Sequence, residues 1–294
     1  MKSTEVALII NQDASRATAR MKTLHSLARK HKLKLKIGDG PDLDYTIREA
    51  LKNKKIKRLI IGGGDGTISL AASLIHRYAR RVELAILPVG TANYYAKSLG
   101  LTRNLARNFE IAMHGEPEKR HLCRVNNRHF LLGLNIGVTS KMFDEVTDEA
   151  KQRFGRIAYL RGIFRVFRRV TPPDITVKAN GETKVYASAE LVVLNQYLDD
   201  PVPIMPRVKG SEPYFEIIFY GLGNSKLSPV FAVVIYALTL GRNQKYLKRI
   251  KTTQAEITTK KPQPVAVDGD SLEKTPISVE LLERPVTFMR AEIR

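Results

Sequence analysis

Leu59-Ile60-Ile61-Gly62-Gly63-Gly64-Asp65-Gly66-Thr67 is a short apolar run that opens onto a glycine-rich turn. Behind it, Ile68 to Arg81 reads as a helix with Leu70, Leu74, Ile75 and Tyr78 on one face. Strand, glycine turn and helix in this order make a phosphate cradle. Glycines let the backbone approach an anion closely, and the N–H groups at a helix start donate to it. Asp65 conflicts with a bare phosphate, which it would repel unless Mg²⁺ or a reacting hydroxyl lies beside it. That conflict marks the loop as a candidate for chemistry rather than a plain turn.

A second unit of the same kind follows. Val82 to Leu87 is apolar and opens onto Pro88-Val89-Gly90-Thr91-Ala92-Asn93, and Tyr94 to Gly100 reads as helical. The two loops lie about 25 residues apart, the spacing of successive βα units. Side by side on a parallel sheet they would line a crevice at the strands' carboxyl ends, where open α/β sheets bind ligands. The first strand, Val6 to Ile10, ends at Asn11 and brings a third polar residue to that edge. Either loop alone is a weak signal; together they favour a nucleotide.

Apolar runs and helical segments alternate up to residue 120: Val6–Ile10, Thr18–His31, Leu33–Ile37, Tyr45–Leu51, Leu59–Ile61, Ile68–Arg81, Val82–Leu87, Tyr94–Leu99 and Leu105–His114. This alternation predicts βαβ units around a parallel sheet. Beyond it strand signals dominate. Ile175, Val177 and Ala179 alternate up to Asn180-Gly181, a hairpin turn, and Val185 lies beyond it. Arg124 to Arg128 turns another hairpin. Leu191–Leu194, Phe215–Tyr220, Glu256–Thr259, Pro264–Val267 and Ile277–Leu281 add short strands, with helices expected near 153–170 and 228–240. The expected fold is therefore an N-terminal three-layer α/β nucleotide-binding domain over residues 1–120, then a C-terminal antiparallel β-sandwich over 121–294.

With 294 residues, 43% of them hydrophobic and 27% charged, the chain reads as an ordinary globular protein long enough for two cores. A single cysteine, Cys123, excludes an internal disulfide and reads as a buried thiol in strand-like sequence. The six histidines form no zinc pattern. No secretory signal is read at the N-terminus, and the longest apolar run, Val230 to Leu240, is too short to span a bilayer. A cytoplasmic protein is expected.

Charge is the second clue. Lys and Arg number 49 against 29 acids, a formal net charge of +20. The stretch from Lys151 to Arg169 contains cations and no acid, interleaved with Phe154, Ile163, Phe164, Val166 and Phe167. It reads either as a basic amphipathic helix lying on an anionic bilayer or as a packed helix with a solvated basic face. Arg242, Lys245, Lys248, Arg249 and Lys251 form another acid-free cluster. Nucleic acid is the other polyanion such charge could meet, but no RNA- or DNA-binding motif is present.

The chain resembles the lipid kinases related to bacterial diacylglycerol kinase and to sphingosine kinase. Gly63 to Thr67 matches the family's Gly-Gly-Asp-Gly-Thr loop, and Pro88 to Asn93 its Pro-x-Gly-Thr-x-Asn loop. Asp268-Gly269-Asp270 matches a late Asp-Gly-acid turn, and the likeness extends to Gly133–Gly137 and Arg153–Leu160. The resemblance implies ATP and Mg²⁺, phosphoryl transfer to a membrane lipid such as diacylglycerol, and peripheral membrane association. It leaves homodimer formation open, and it implies a last strand returning to the first domain. By resemblance, Gly63, Gly64, Asp65, Gly66, Thr67, Ile68, Ser69, Gly90 and Thr91 hold the ATP phosphates, with Asn11 and Asn93 at the rim. Lys36, taken as the end of the second strand, lies near the nucleotide. Asp65 orients Mg²⁺ or the phosphoryl group, and Asp270 stands where the family has a glutamate general base. An aspartate there has about 1.3–1.5 Å less reach. On its residues alone, Asp268-Gly269-Asp270 reads as a hairpin turn.

Three departures bear on activity. Tyr94 follows the second loop where the family has an aspartate, and Ser69-Leu70 replaces an Asn-Glu pair. A structural Mg²⁺ site in the second domain would fall to Lys209, Glu212 and Tyr214, but Pro213 stiffens that loop. These departures define one rival reading, a member that binds nucleotide or lipid without turnover. The other rivals are NAD kinase and a phosphofructokinase-like sugar kinase, which share the Gly-Gly-Asp-Gly loop. NAD kinase should carry an Asn-Glu pair mid-chain, and Asn135 is followed by Ile136.

Overall fold

The computed structural model describes residues 3–78, 81–137, 172–195, 208, 211–220, 229, 232, 235, 236, 239 and 245–292. The chain divides into two units: residues 1–122 with 282–294, and residues 123–281.

The first unit alternates strand and helix: β1 (Val6–Asn11), α1 (Ala17–Lys30), β2 (Leu35–Gly38), α2 (Gly40–Lys52), β3 (Arg58–Gly63), α3 (Asp65–Arg77), β4 (Glu83–Pro88), α4 (Tyr94–Ser98), α5 (Leu105–His114) and β5 (Glu116–Arg120). Its sheet runs β2-β1-β3-β4, then the C-terminal strand Val286–Arg290, then β5. The first four strands are parallel. The C-terminal strand is parallel to β4 and antiparallel to β5.

Continuous apolar runs suit parallel strands buried on both faces, and all six residues of β3 are buried. One face is covered by α1 and α5, whose Leu24, Ala28, Leu105 and Phe109 pack on Leu8, Ile10, Ile60 and Leu87. The other carries α2, α3 and α4. Along α3, Ile68, Ala71, Ala72, Leu74 and Ile75 are buried, the spacing of one helical face. Register aligns the strand ends that matter: Ile10 lies opposite Gly62, Asn11 opposite Gly38, and Gly63 opposite Pro88.

The second unit consists of antiparallel strands: β6 (Cys123–Val125), β7 (Arg128–Phe130), β8 (Gly133–Ile136), β9 (Ile175–Ala179), β10 (Glu182–Tyr186) and β11 (Glu190–Leu194). Then come β12 (Phe215–Tyr220), β13 (Leu247–Thr252), β14 (Gln254–Thr259), β15 (Pro264–Val267), β16 (Asp270–Lys274) and β17 (Ile277–Leu281). Among the described residues they form two sheets, β10-β9-β14-β17-β6-β7 and β13-β12-β11-β8-β15-β16. Alternate residues of both sheets, among them Val125, Leu134, Val177, Leu191, Ile217, Phe219, Ile257, Val265 and Val279, make one core. Cys123 is buried in it, and burial pushes its thiol pKa well up.

The fold is the expected one, an α/β unit with a largely parallel sheet and an antiparallel all-β unit. It differs from the sequence reading in detail. Helix α3 starts at Asp65, not Ile68, because Gly64 takes extended backbone as its N-cap and the motif residues form the first turn. Lys36 sits inside β2, opposite Ile9 and two residues short of the strand's end. The basic cluster around Lys248 and Lys251 is β13, an edge strand, where lysines discourage further pairing. The helix expected near 153–170 lies outside the described residues, as does most of the one near 228–240.

Candidate functional site

The β3–α3 and β4–α4 loops are in direct contact. A Cβ added to Gly90 would lie 2.4 Å from the Cα of Gly64, and one added to Gly63 would lie 2.4 Å from the Thr67 side chain. Glycine at these two places is what lets the turns nest. Asn11, at the end of β1, donates from Nδ2 to Thr67 Oγ1 at 2.8 Å, and Ser15 and Thr91 share a hydroxyl hydrogen bond of 2.9 Å. Three strand ends are thereby stitched into one edge.

Asp65 is the centre of this arrangement. Its carboxylate accepts the backbone N–H of Tyr94 at 3.1 Å and of Tyr95 at 2.9 Å. A helix start leaves such N–H groups without intrahelical acceptors, and the residue before α4 does not supply one. Asn93 adopts left-handed backbone (φ 51°) and turns its amide back on its own loop, accepting from Gly90 N at 3.0 Å and donating to Gly90 O at 2.8 Å. Burial raises the pKa of Asp65, while the Tyr95 and Tyr94 N–H groups, the Lys97 charge and an N–H from Asn93 oppose that rise.

Not every residue expected to hold phosphate is placed to do so. Ile68 is fully buried and its N–H goes to Gly64 O at 3.1 Å, so neither group faces a ligand. Thr67 is buried and bonded to Asn11. What remains for an anion is the backbone of the first turn of α3, together with Thr91, which is exposed. Lys36 is exposed, and its strand position sets it back from Asn11.

Beside the second loop lies a pocket of about 150 Å³ lined by Thr91, Ala92 and Asn93 and by four cationic side chains, Arg16, Arg20, Lys97 and Arg103. Among the described residues none of these four is ion-paired. Arg20 donates to Arg103 O at 3.0 Å, and Lys97 stands 5.0 Å from the centre of the Tyr94 ring. No acid lines the pocket. Sequence reasoning missed this cluster because its members come from α1 and from residues some 80 positions later. The signal available was the acid-free run from Val89 to Phe109.

Each oxygen of Asp65 accepts one backbone N–H and keeps a second lone pair, and no cluster of three His, Cys, Asp or Glu suited to a metal occurs among the described residues. For the second expected metal site, Lys209 lies outside the described residues. The Tyr214 hydroxyl is bonded to Lys251 Nζ at 2.9 Å, an ammonium that would repel a divalent cation.

In the second unit, Asp268 and Gly269 form a two-residue hairpin turn with positive φ at both (50° and 97°) between β15 and β16. The Asp268 carboxylate accepts three backbone N–H groups, from Leu131 (2.9 Å), Leu132 (2.8 Å) and Gly133 (3.2 Å). Asp268 thus fixes the turn on the β7–β8 corner, and Asp270 is the first residue beyond it, opposite Val267.

Comparison with known proteins agrees with this geometry. The family model for the diacylglycerol kinase catalytic domain matches residues 5–125. Over nearly its whole length the chain is similar to a protein of Shewanella frigidimarina (strain NCIMB 400) named probable lipid kinase YegS-like, 23% identical over 98% of this chain and 94% of the relative. A protein of the same name from Klebsiella pneumoniae (strain 342) is 32% identical over 41% of each chain. The crystal structure of a diacylglycerol kinase from Bacillus anthracis str. Sterne has the same fold, with a TM-score of 0.73 over 98% of this chain and 97% of that one at 22% identity.

Proposed function

We propose, from the match of residues 5–125 to the family model for the diacylglycerol kinase catalytic domain, that the chain is an ATP-dependent lipid kinase of that family. It transfers the γ-phosphoryl of ATP to a hydroxyl of a membrane lipid such as diacylglycerol. The observation that carries this reading is the Asp65 bridge between two glycine loops, set beside an acid-free pocket lined by four cations.

Phosphoryl transfer asks for positioning, charge neutralisation and removal of the acceptor's proton. The first-turn N–H groups of α3 and the Thr91 hydroxyl suit the phosphates. Arg16, Arg20, Lys97 and Arg103 supply positive charge beside the second loop, and Mg²⁺ bound to the nucleotide would add to it. Asp65 keeps the two loops in register. Asp270 takes the acceptor's proton as its oxygen bonds to Pγ and the bond from Pγ to the β-bridging oxygen breaks, releasing ADP. No helix among the described residues is long and apolar enough to cross a membrane. The basic segment 151–169, with its interleaved aromatics, supports contact with an anionic surface.

The test is transfer of labelled γ-phosphate to defined micelles, each holding one acceptor: diacylglycerol, monoacylglycerol, phosphatidylglycerol or a sphingoid base. Label in one of these lipids supports the reading. ATP binding without label in any of them would replace it with a binder that does not turn over.

A further inference from the structure

Helix α4 has five residues, too few to be stable alone, yet it carries the end of the second glycine loop: Lys97 N donates to Asn93 O at 3.1 Å. Its start is held by Asp65. Its end is held by a residue from the edge strand β5. Arg120, the last residue of β5 and 6% exposed, donates from Nη1 to Ser98 Oγ at 2.7 Å and from Nη2 to Ser98 O at 2.9 Å. Its guanidinium lies 5.5 Å from the centre of the Tyr95 ring, and Tyr95 is itself fully buried against Phe288. Glu118 orients Arg120 through Nε at 2.6 Å, and its other oxygen accepts from Arg290 Nε at 2.9 Å.

We propose that Arg120 is a positioning residue for the loop Pro88–Asn93, acting through α4 as the counterpart of Asp65. An anionic side chain at the helix start and a cationic one at its end both match the helix dipole. Together they set where Asn93 lies, and with it the Gly90–Asn93 ring that nests on Gly64. Arg120 itself touches no ligand. This inference rests on the proposal that the loop binds ATP.

ATP affinity of the full-length protein, measured by titration calorimetry, tests it with four proteins: wild type, Arg120→Ala, Arg120→Lys and Arg58→Ala. Arg58 is a matched control. It is equally buried and bonded to Glu83 and to the end of α5, but it sits at the opposite end of β3 from the loops. Loss of folded protein lowers the binding stoichiometry and leaves Kd unchanged, whereas a displaced loop raises Kd. Arg120→Ala should raise Kd about tenfold, Arg120→Lys should recover most of that, and Arg58→Ala should lower melting temperature with Kd within twofold of wild type. Wild-type Kd in both Arg120 variants, or an equal rise in Arg58→Ala, overturns the inference. Wild type that binds ATP but transfers no phosphate overturns the kinase reading and leaves this inference standing. Wild type that binds no ATP overturns both.

Discussion

The carboxylate of Asp65 caps the helix that begins at Tyr94, accepting the backbone N–H groups of Tyr94 and Tyr95 at 3.1 and 2.9 Å. The first glycine motif therefore holds the second in place. Asp65 needs both oxygens for this. In Asp65→Asn the amide nitrogen would face one of the two N–H groups, leaving a donor unsatisfied at a cost of about 1–3 kcal/mol. The variant should fold, melt lower than wild type and lose phosphoryl transfer by two orders of magnitude or more. Thermal melts and γ-phosphate transfer measure the two effects; transfer within threefold of wild type would exclude Asp65 from the site.

The pH dependence of that stability has a definite sign. Burial raises the pKa of Asp65 despite the opposing N–H bonds and Lys97, so its carboxyl is harder to ionise in the folded protein than in the unfolded chain. The contribution is full below the unfolded-state pKa and is lost as pH rises through the raised folded-state value. The melting-temperature advantage of wild type over Asp65→Asn should therefore shrink as pH rises through that window. Melts of both proteins across the acidic range check this, and an advantage that grows with pH would mean that the carboxylate is stabilised as an anion instead.

The absence of a side chain at Gly90 allows the two loops to touch. In Gly90→Ala the new methyl would lie 2.4 Å from the Gly64 Cα, forcing the loops apart at an overpacking cost of about 1–3 kcal/mol. ATP affinity should fall at least tenfold. Gly115→Ala is the contrast, since a Cβ there would meet Arg290 O at 2.5 Å and Ile111 O at 2.6 Å, away from both loops. An equal loss in both variants would show that loop contact is not the cause.

The two aspartates of the late turn should separate cleanly. Asp268→Ala removes the acceptor for three N–H groups and should cost about 1–3 kcal/mol in a urea melt. Asp270→Ala should leave stability and ATP affinity near wild type while lowering the transfer rate about 100-fold or more. Asp270→Glu, which restores a methylene, should match or exceed the wild-type rate. Full activity in Asp270→Ala would remove the general-base role.

Much of this was legible in the sequence, for identifiable reasons. The runs Leu59–Ile61 and Val82–Leu87 are apolar throughout because parallel central strands are buried on both faces, and the glycines behind them announce loops that must approach something closely. Asn180-Gly181 and Asp268-Gly269 declare hairpins because few other residue pairs tolerate left-handed backbone twice in succession. The role of Asp65 was not legible. Its partners are main-chain N–H groups about 30 residues away, and such groups leave no mark on the side-chain sequence. Arg120 was missed for the same reason: its acceptors, Ser98 O and Ser98 Oγ, belong to a helix that short-range periodicity barely registers. Strand β13 was hidden because an edge strand needs few apolar residues, so Lys248, Arg249 and Lys251 read only as charge.

The measurement that bears most directly on the kinase reading is transfer of labelled γ-phosphate from Mg·ATP to a mixed lipid extract in detergent micelles, run in parallel on wild type and Asp65→Asn. Label should appear in a chloroform-soluble product with wild type and be absent with the variant. Wild type that binds ATP yet leaves the lipid unlabelled, or a variant that labels it equally well, would contradict the kinase reading.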